Sequence, residues 1–357
     1  MNAETISYAI VGTGMMGREH IANIAAIDGA EVVGISDPDP ESLRLGMTEA
    51  GLPPNHCFDN YSDLIAHAQA DTYVVASPNH THAEVMKRIL ATDAHVLIEK
   101  PLGTTVRECD EILAAAQGRN GVVWMGLEYR YKPPIARLIE EVGSGAAGEV
   151  KMVAIREHRF PFLDKVDNWN RFRRNTGGTL VEKCCHFFDL MRLITRSEPV
   201  RVMASGSQSV NHLDESYEGE VPDIIDNAYV IVEFESGARA SLDLCMFAEA
   251  SRNEQEISVV GESGKVEAFM PESLVRVGDR SSGEIREISA GDARVQYHGM
   301  HEGSTYIQHL ELMNVIKAGT TPAVTLEDGR LSVAMGVAAQ LSIAEGRAVM
   351  MGEVLGN

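Results

Sequence analysis

Positive charge is in short supply. The 31 lysines and arginines are outnumbered by 52 aspartates and glutamates, giving a formal net charge of −21. So acidic a chain repels nucleic-acid phosphates and anionic headgroups, so no nucleic-acid or membrane partner is expected, and the acidity reads as solubility. Cysteine is scarce as well. The five, Cys57, Cys109, Cys184, Cys185 and Cys245, are odd in number and lack any Cys-x-x-Cys spacing. A disulfide framework is therefore not expected, and a reduced, cytoplasmic setting fits. Cys184-Cys185-His186 does not make a metal centre, because adjacent cysteines on a helix diverge and no second cluster supplies ligands. No apolar run is long enough to span a bilayer. The opening Met1-Asn2-Ala3-Glu4-Thr5 has no basic region and no small-residue cleavage site, so no targeting peptide is expected. With no Gly-x-Ser-x-Gly elbow and no P-loop lysine, hydrolase and kinase readings have no foothold.

The 357 residues, 44% of them hydrophobic, suffice for about two domains whose cores need no staple. The first begins with the β-branched run Ile6–Val11. Gly12-Thr13-Gly14-Met15-Met16-Gly17 follows at once, and then a helical segment. Strand, Gly-x-Gly-x-x-Gly and helix in this order form a dinucleotide fingerprint. The first glycine permits the tight turn, the second lets backbone approach a pyrophosphate, and the third lets helix pack on strand. The helix N-terminus at Met15 and Met16 supplies free N–H donors. A second strand ends at Asp37, twenty positions after Gly17, where a carboxylate would bind ribose hydroxyls and repel a 2′-phosphate. The expected cofactor is NAD rather than NADP.

Strand 72–76 leads to Ser77-Pro78-Asn79-His80, where Asn79 would face the crevice, and Thr81-x-x-Glu84 reads as a capping box. Strand 94–98 ends at Glu99-Lys100-Pro101, which puts a cation at the strand's end. Thr105-x-x-Glu108 caps a further helix, and a strand at 122–125 follows. This β-α alternation predicts a doubly wound, mostly parallel sheet over residues 1–128. Ser77, Asn79, His82, Glu99 and Lys100 join the glycine turn and Asp37 as expected cofactor contacts.

Beyond Tyr131-Lys132-Pro133-Pro134 the pattern changes. One helix precedes strands at 150–158, 199–209, 226–234, 238–246, 257–260 and 265–269, with hairpin turns at Glu235-Ser236-Gly237 and Gly261–Gly264. Strands in series predict an α+β domain on a mostly antiparallel sheet over 129–357, closed by helices at 306–318 and 326–345, the latter capped by Thr325-x-x-Asp328. Within it, Thr176-Gly177-Gly178 introduces a helix on which Glu182, His186 and, less directly, Asp189 share a side. A histidine one turn from a carboxylate can be held and tuned as a general base. The same spacing also suits a buried histidine bonded within its own helix.

These residues together resemble the Gfo/Idh/MocA oxidoreductase family, named for glucose–fructose oxidoreductase and inositol dehydrogenase. The resemblance runs over nearly the whole chain: Gly12-x-Gly14-x-x-Gly17, Ser77-Pro78-Asn79-x-x-His82, Glu99-Lys100-Pro101, Gly177-Gly178 through His186-x-x-Asp189, and the tail from Pro322 to Ser342. It implies a Rossmann domain plus a large open sheet, Lys100 and His186 as the catalytic pair of a sugar or cyclitol dehydrogenase, and a homodimer or homotetramer formed through that sheet. The family usually has aspartate four residues before the histidine, whereas this chain has Glu182, followed by the uncommon Lys183. Arg130, His158, Trp169 and Lys183 are expected to contact the sugar. Two other chemistries share the resemblance: a glycosidase that oxidises its sugar transiently, and a non-enzymatic NAD(H) sensor.

Overall fold

The computed structural model describes residues 5–356, so the first four residues, which carry most of the targeting-peptide expectation, lie outside the described residues. The chain divides into two compact units. The first takes the chain up to Glu128 together with Lys165–Trp169 and Arg294–Arg330; the second takes Tyr129–Asp164, Asn170–Ala293 and the chain from Leu331. The 165–169 and 294–330 segments, expected in the second domain, thus return to the first unit.

In the first unit, β1 (Ile6–Val11), β2 (Ala30–Ser36), β3 (Cys57–Phe58), β4 (Thr72–Val75), β5 (His95–Glu99) and β6 (Val123–Gly126) form a six-stranded sheet in the order β3-β2-β1-β4-β5-β6. Every pairing is parallel. Strands covered on both faces need continuous apolar sequence, and all four residues of β4 are buried. The chain reverses its direction of winding beside β1, so the crevice outside the carboxyl ends of β1 and β4 is the switch point at which such sheets bind ligands.

The second unit carries a nine-stranded sheet. Its strands are β7 (Val150–His158), β8 (Pro199–Ser207), β9 (Asn227–Phe234), β10 (Arg239–Cys245), β11 (Gln255–Gly261), β12 (Gly264–Met270), β13 (Leu274–Asp279), β14 (Ile285–Ser289) and β15 (Val349–Met350), in the order β14-β13-β12-β11-β7-β10-β9-β8-β15. All pairs are antiparallel except β7 with β10. Alternation along the strands sends Val153, Ile155 and Glu157 to the face packed by helix Cys185–Thr195, and Met152, Ala154 and His158 to the other. That second face exposes Met152, Tyr229, Ile231 and Val260.

The expected single helix through Glu182 and His186 is in fact two. Thr179–Glu182 forms one turn, the chain breaks at Lys183-Cys184, and Cys185–Thr195 starts anew. No described helix is long and apolar enough to cross a membrane.

Candidate active site

The glycine turn shows three different environments. A Cβ on Gly12, whose φ is +89°, would sit 2.7 Å from the Ala76 oxygen, and one on Gly17 would sit 1.8 Å from the Gly12 oxygen; one on Gly14 meets nothing within 4 Å. Two glycines therefore close the turn against its neighbours, while the third leaves open space in front of the N-terminus of helix Met15–Ala25. No side chain caps that terminus, so its first N–H groups are available to an anion. Asp37 lies at the end of β2, accepting the Thr13 N–H at 2.7 Å with one oxygen and the Asp39 N–H at 2.9 Å with the other. Asn79 is 5% exposed, and its amide nitrogen has no partner among the described residues. Open space, free N–H donors, a carboxylate and an orphaned amide fit a dinucleotide. Gly12 through Gly17, Asp37, Ser77 and Asn79 are the residues that would hold it.

His82 departs from expectation. It is fully buried, with Nδ1 2.8 Å from the Pro101 oxygen and Nε2 3.0 Å from the Ser77 oxygen. It therefore clasps the loops after β4 and β5 together from inside. Burial pushes its pKa down, against the two carbonyls that favour the protonated ring. The capping box expected just before it does not form, because the Thr81 hydroxyl donates to the Pro78 oxygen instead.

Lys100 is half-buried, directly after β5. Glu99 before it is 4% exposed and turned inward, its carboxylate 2.9 Å from His20 Nε2 and accepting the Lys100 N–H at 3.2 Å. Burial pulls the Glu99 pKa up, but His20 and the Lys100 ammonium hold it below the ordinary carboxylate value. His20 in turn lies 2.9 Å from His309 Nε2. Glu99, expected as a cofactor contact, is a buried anchor of the strand end that carries Lys100. Neither His20 nor His309 belonged to the expected site; each lies on a helix that also buries other polar residues, Glu19 and Asn23 beside His20 and Gln308 beside His309, so no sequence signal set them apart.

In the second unit, His186 is 2% exposed and stacked on Tyr129, centroids 3.9 Å apart and planes 6° from parallel. Glu182 is buried, just before the break in the helix. Asp189 forms a two-point ion pair with Arg130 at 2.6 and 2.5 Å, so the Arg130 guanidinium is engaged by the protein. Lys183 points inward, its ammonium 2.7 Å from Glu157 and donating to the Tyr129 hydroxyl at 2.8 Å. Burial and Arg159 lower its pKa, while Glu157 opposes them. Lys183, expected to contact the sugar, is thus a buried partner of Glu157. His158 lies on the opposite face of β7 from Glu157, bonded to Asp243 at 3.1 Å, because alternate strand residues face opposite ways. Trp169, placed in the first unit, meets the His80 ring at 6.2 Å. Tyr129 and Glu157 were not anticipated. Glu157 was legible as an acid in phase with Val153 and Ile155, which demands a buried cation. Among the described residues no cluster could hold a metal ion.

Sequence models for two domains of one oxidoreductase family match the chain. The first, described as "Oxidoreductase family, NAD-binding Rossmann fold", covers residues 6–127; the second, "Oxidoreductase family, C-terminal alpha/beta domain", covers residues 139–351. The chain is 29% identical over 354 residues to myo-inositol 2-dehydrogenase of Thermotoga maritima, covering 97% of this chain and 99% of that one. To inositol 2-dehydrogenase of Rhizobium meliloti it is 25% identical, with the same two coverages of 97% and 99%. Levoglucosan dehydrogenase, solved with NADH and levoglucosan, shares the fold with a TM-score of 0.86 at 19% identity, covering 98% of this chain and 100% of that one.

Proposed function

The chain belongs to the Gfo/Idh/MocA oxidoreductase family, and on that premise we propose that it is an NAD-dependent dehydrogenase that oxidises a secondary hydroxyl of a sugar, sugar derivative or cyclitol. The observation that carries the reading is Lys100, a half-buried cation at the carboxyl end of β5, in a sheet whose glycine turn leaves room for a pyrophosphate. NAD is favoured over NADP because the Asp37 carboxylate, at the end of β2, would repel a 2′-phosphate, and Arg18 and Arg44 are both engaged, Arg18 donating to the Thr13 oxygen at 2.7 Å and Arg44 to Glu41 at 2.7 Å.

In this reading the Lys100 ammonium holds the substrate oxygen and stabilises the negative charge that develops on it. His186 takes the hydroxyl proton, and its plane is held by Tyr129. Glu182 orients His186. The bound nicotinamide supplies the acceptor for the hydride that leaves the same carbon as the carbonyl forms. A polyol suits such a site, because a lysine, a histidine and acids together hydrogen-bond several hydroxyls. The exposed face of the nine-stranded sheet is the proposed contact between copies of the chain.

The test is a panel of inositols, sugars and glycosides with NAD and NADP, followed by NADH absorbance and product analysis. Accumulation of NADH with one polyol class, faster with NAD, is expected. Release of free sugar from a glycoside without net NADH would replace the dehydrogenase reading with transient oxidation and elimination.

A further inference from the structure

Beside His186 lies a connected buried group that the scheme above does not use. Lys183 is 4% exposed and Glu157 fully buried, and their charged atoms are 2.7 Å apart. The same ammonium donates to the Tyr129 hydroxyl at 2.8 Å, and Gln255 donates to it at 3.3 Å. Gln255 also accepts from the Lys132 ammonium at 3.1 Å. That ammonium lies 4.2 Å from the centroid of the Tyr129 ring, while the His186 imidazole stacks on the ring at 3.9 Å. The imidazole fills one face of the ring, so Lys132 occupies the other. The tyrosine is held at its hydroxyl end and on its far face, and its near face is a fixed wall for the histidine.

A buried ammonium–carboxylate pair is an inefficient way to stabilise a fold, since the two lost hydration shells offset most of the attraction. What it supplies here is geometry. A stacked ring held only by apolar contacts can slide and tilt, and proton transfer is steeply sensitive to such displacements. We propose that Lys183 is a positioning residue for His186 acting through Tyr129: its ammonium anchors the tyrosine hydroxyl, and the anchored ring fixes the plane of the imidazole. The proposal rests on the reading of His186 as the base.

The test uses the whole enzyme and two ways of cutting the link. Tyr129→Phe keeps the ring and removes its anchor point. Lys183→Met combined with Glu157→Gln removes the anchor from the other end without stranding either charge of that pair, and Arg159, 3.6 Å from Glu157, keeps Glu254 at 3.9 Å. The readout is deuterium exchange at the His186 Cε1 position, followed by mass spectrometry on the peptide that carries it, which needs no substrate. Each variant is expected to shorten the exchange half-life severalfold, and the triple variant no further, because both cut one link. Exchange at His20, His82 and His309 should stay as in the wild type. With NAD and the polyol that the panel turns over fastest, kcat should fall about tenfold or more while KM changes less than about threefold, the signature of a misaligned base. An unchanged His186 half-life in both variants, or effects that add in the triple variant, overturns the proposal. Turnover at the wild-type rate by His186→Asn overturns the base assignment instead, and the exchange data then judge the positioning by themselves.

Discussion

A Cβ added at Gly17 would lie 1.8 Å from the Gly12 oxygen, whereas one added at Gly14 meets nothing within 4 Å. The two glycines carry equal weight in the motif but do different work. Gly14→Ala, where φ is −61° and ψ −162°, at the margin of the extended region, and where the added methyl meets nothing within 4 Å, should fold with a melting temperature only slightly lowered. It should nevertheless weaken NAD binding by about tenfold or more, since the methyl group enters the space where the pyrophosphate would approach. Gly17→Ala should lower the melting temperature as well, because the helix must move off the turn. Calorimetric melting and NAD titration of both variants check the pair. Spacing in the sequence marked Asp37 and the glycines, whereas Lys100 stood out only as a cation at a strand's end and took its role from the family resemblance. Spacing could not tell that Glu99 and His82 turn inward, because burial depends on residues far along the chain: His309 lies 2.9 Å from His20, which holds Glu99.

Elements were legible where a single period ruled them. Thr105 and Thr325 accept the backbone N–H three residues on, as their capping patterns require, while Thr81 shows the same pattern and bonds elsewhere. Edge strand β14, Ile285–Ser289, carries exposed charges and no apolar alternation, so nothing in it signalled a strand. The break at Lys183-Cys184 was invisible for a related reason: the side chain of Lys183 is drawn inward to Glu157, a partner on another element. Helix Ser304–Ala318 docks on helix Met15–Ala25 through the buried His309–His20 contact. Burial and the neighbouring His20 hold His309 well below the usual histidine value. An unfolded histidine takes up its proton near about pH 6.5. Below that pH the unfolded chain binds a proton that the folded chain does not, so stability rises with pH and falls on acidification. The depressed Glu99 acts in the same direction but only at lower pH, its contribution being lost as pH falls through the folded carboxyl value. The melting temperature should drop as the pH goes from about 7 to about 5, and His309→Gln should flatten that slope. A slope identical in the variant would assign the acid sensitivity to other groups.

The molecule as a whole follows from two patterns: alternating strand and helix up to Glu128, then strands in series. The return of Arg294–Arg330 to the first unit was hidden, because a helix's destination depends on which face it meets and not on its place in the chain. The uncovered face of the nine-stranded sheet leaves Tyr229 69% and Ile231 43% exposed on neighbouring positions of β9. Apolar side chains gathered on an open face mark an association surface. The proposed contact between copies predicts an assembled wild type in sedimentation and monomers when both are replaced with aspartate, with NAD affinity retained. The proposed chemistry stands or falls with Lys100, so the decisive variant is Lys100→Met, with NADH binding and turnover measured on the same preparation. NADH affinity should stay within about threefold of the wild type while kcat falls by about a thousandfold, the loss of a charge that matters mainly in the transition state. Turnover of the polyol within about tenfold of the wild-type rate would contradict that chemistry.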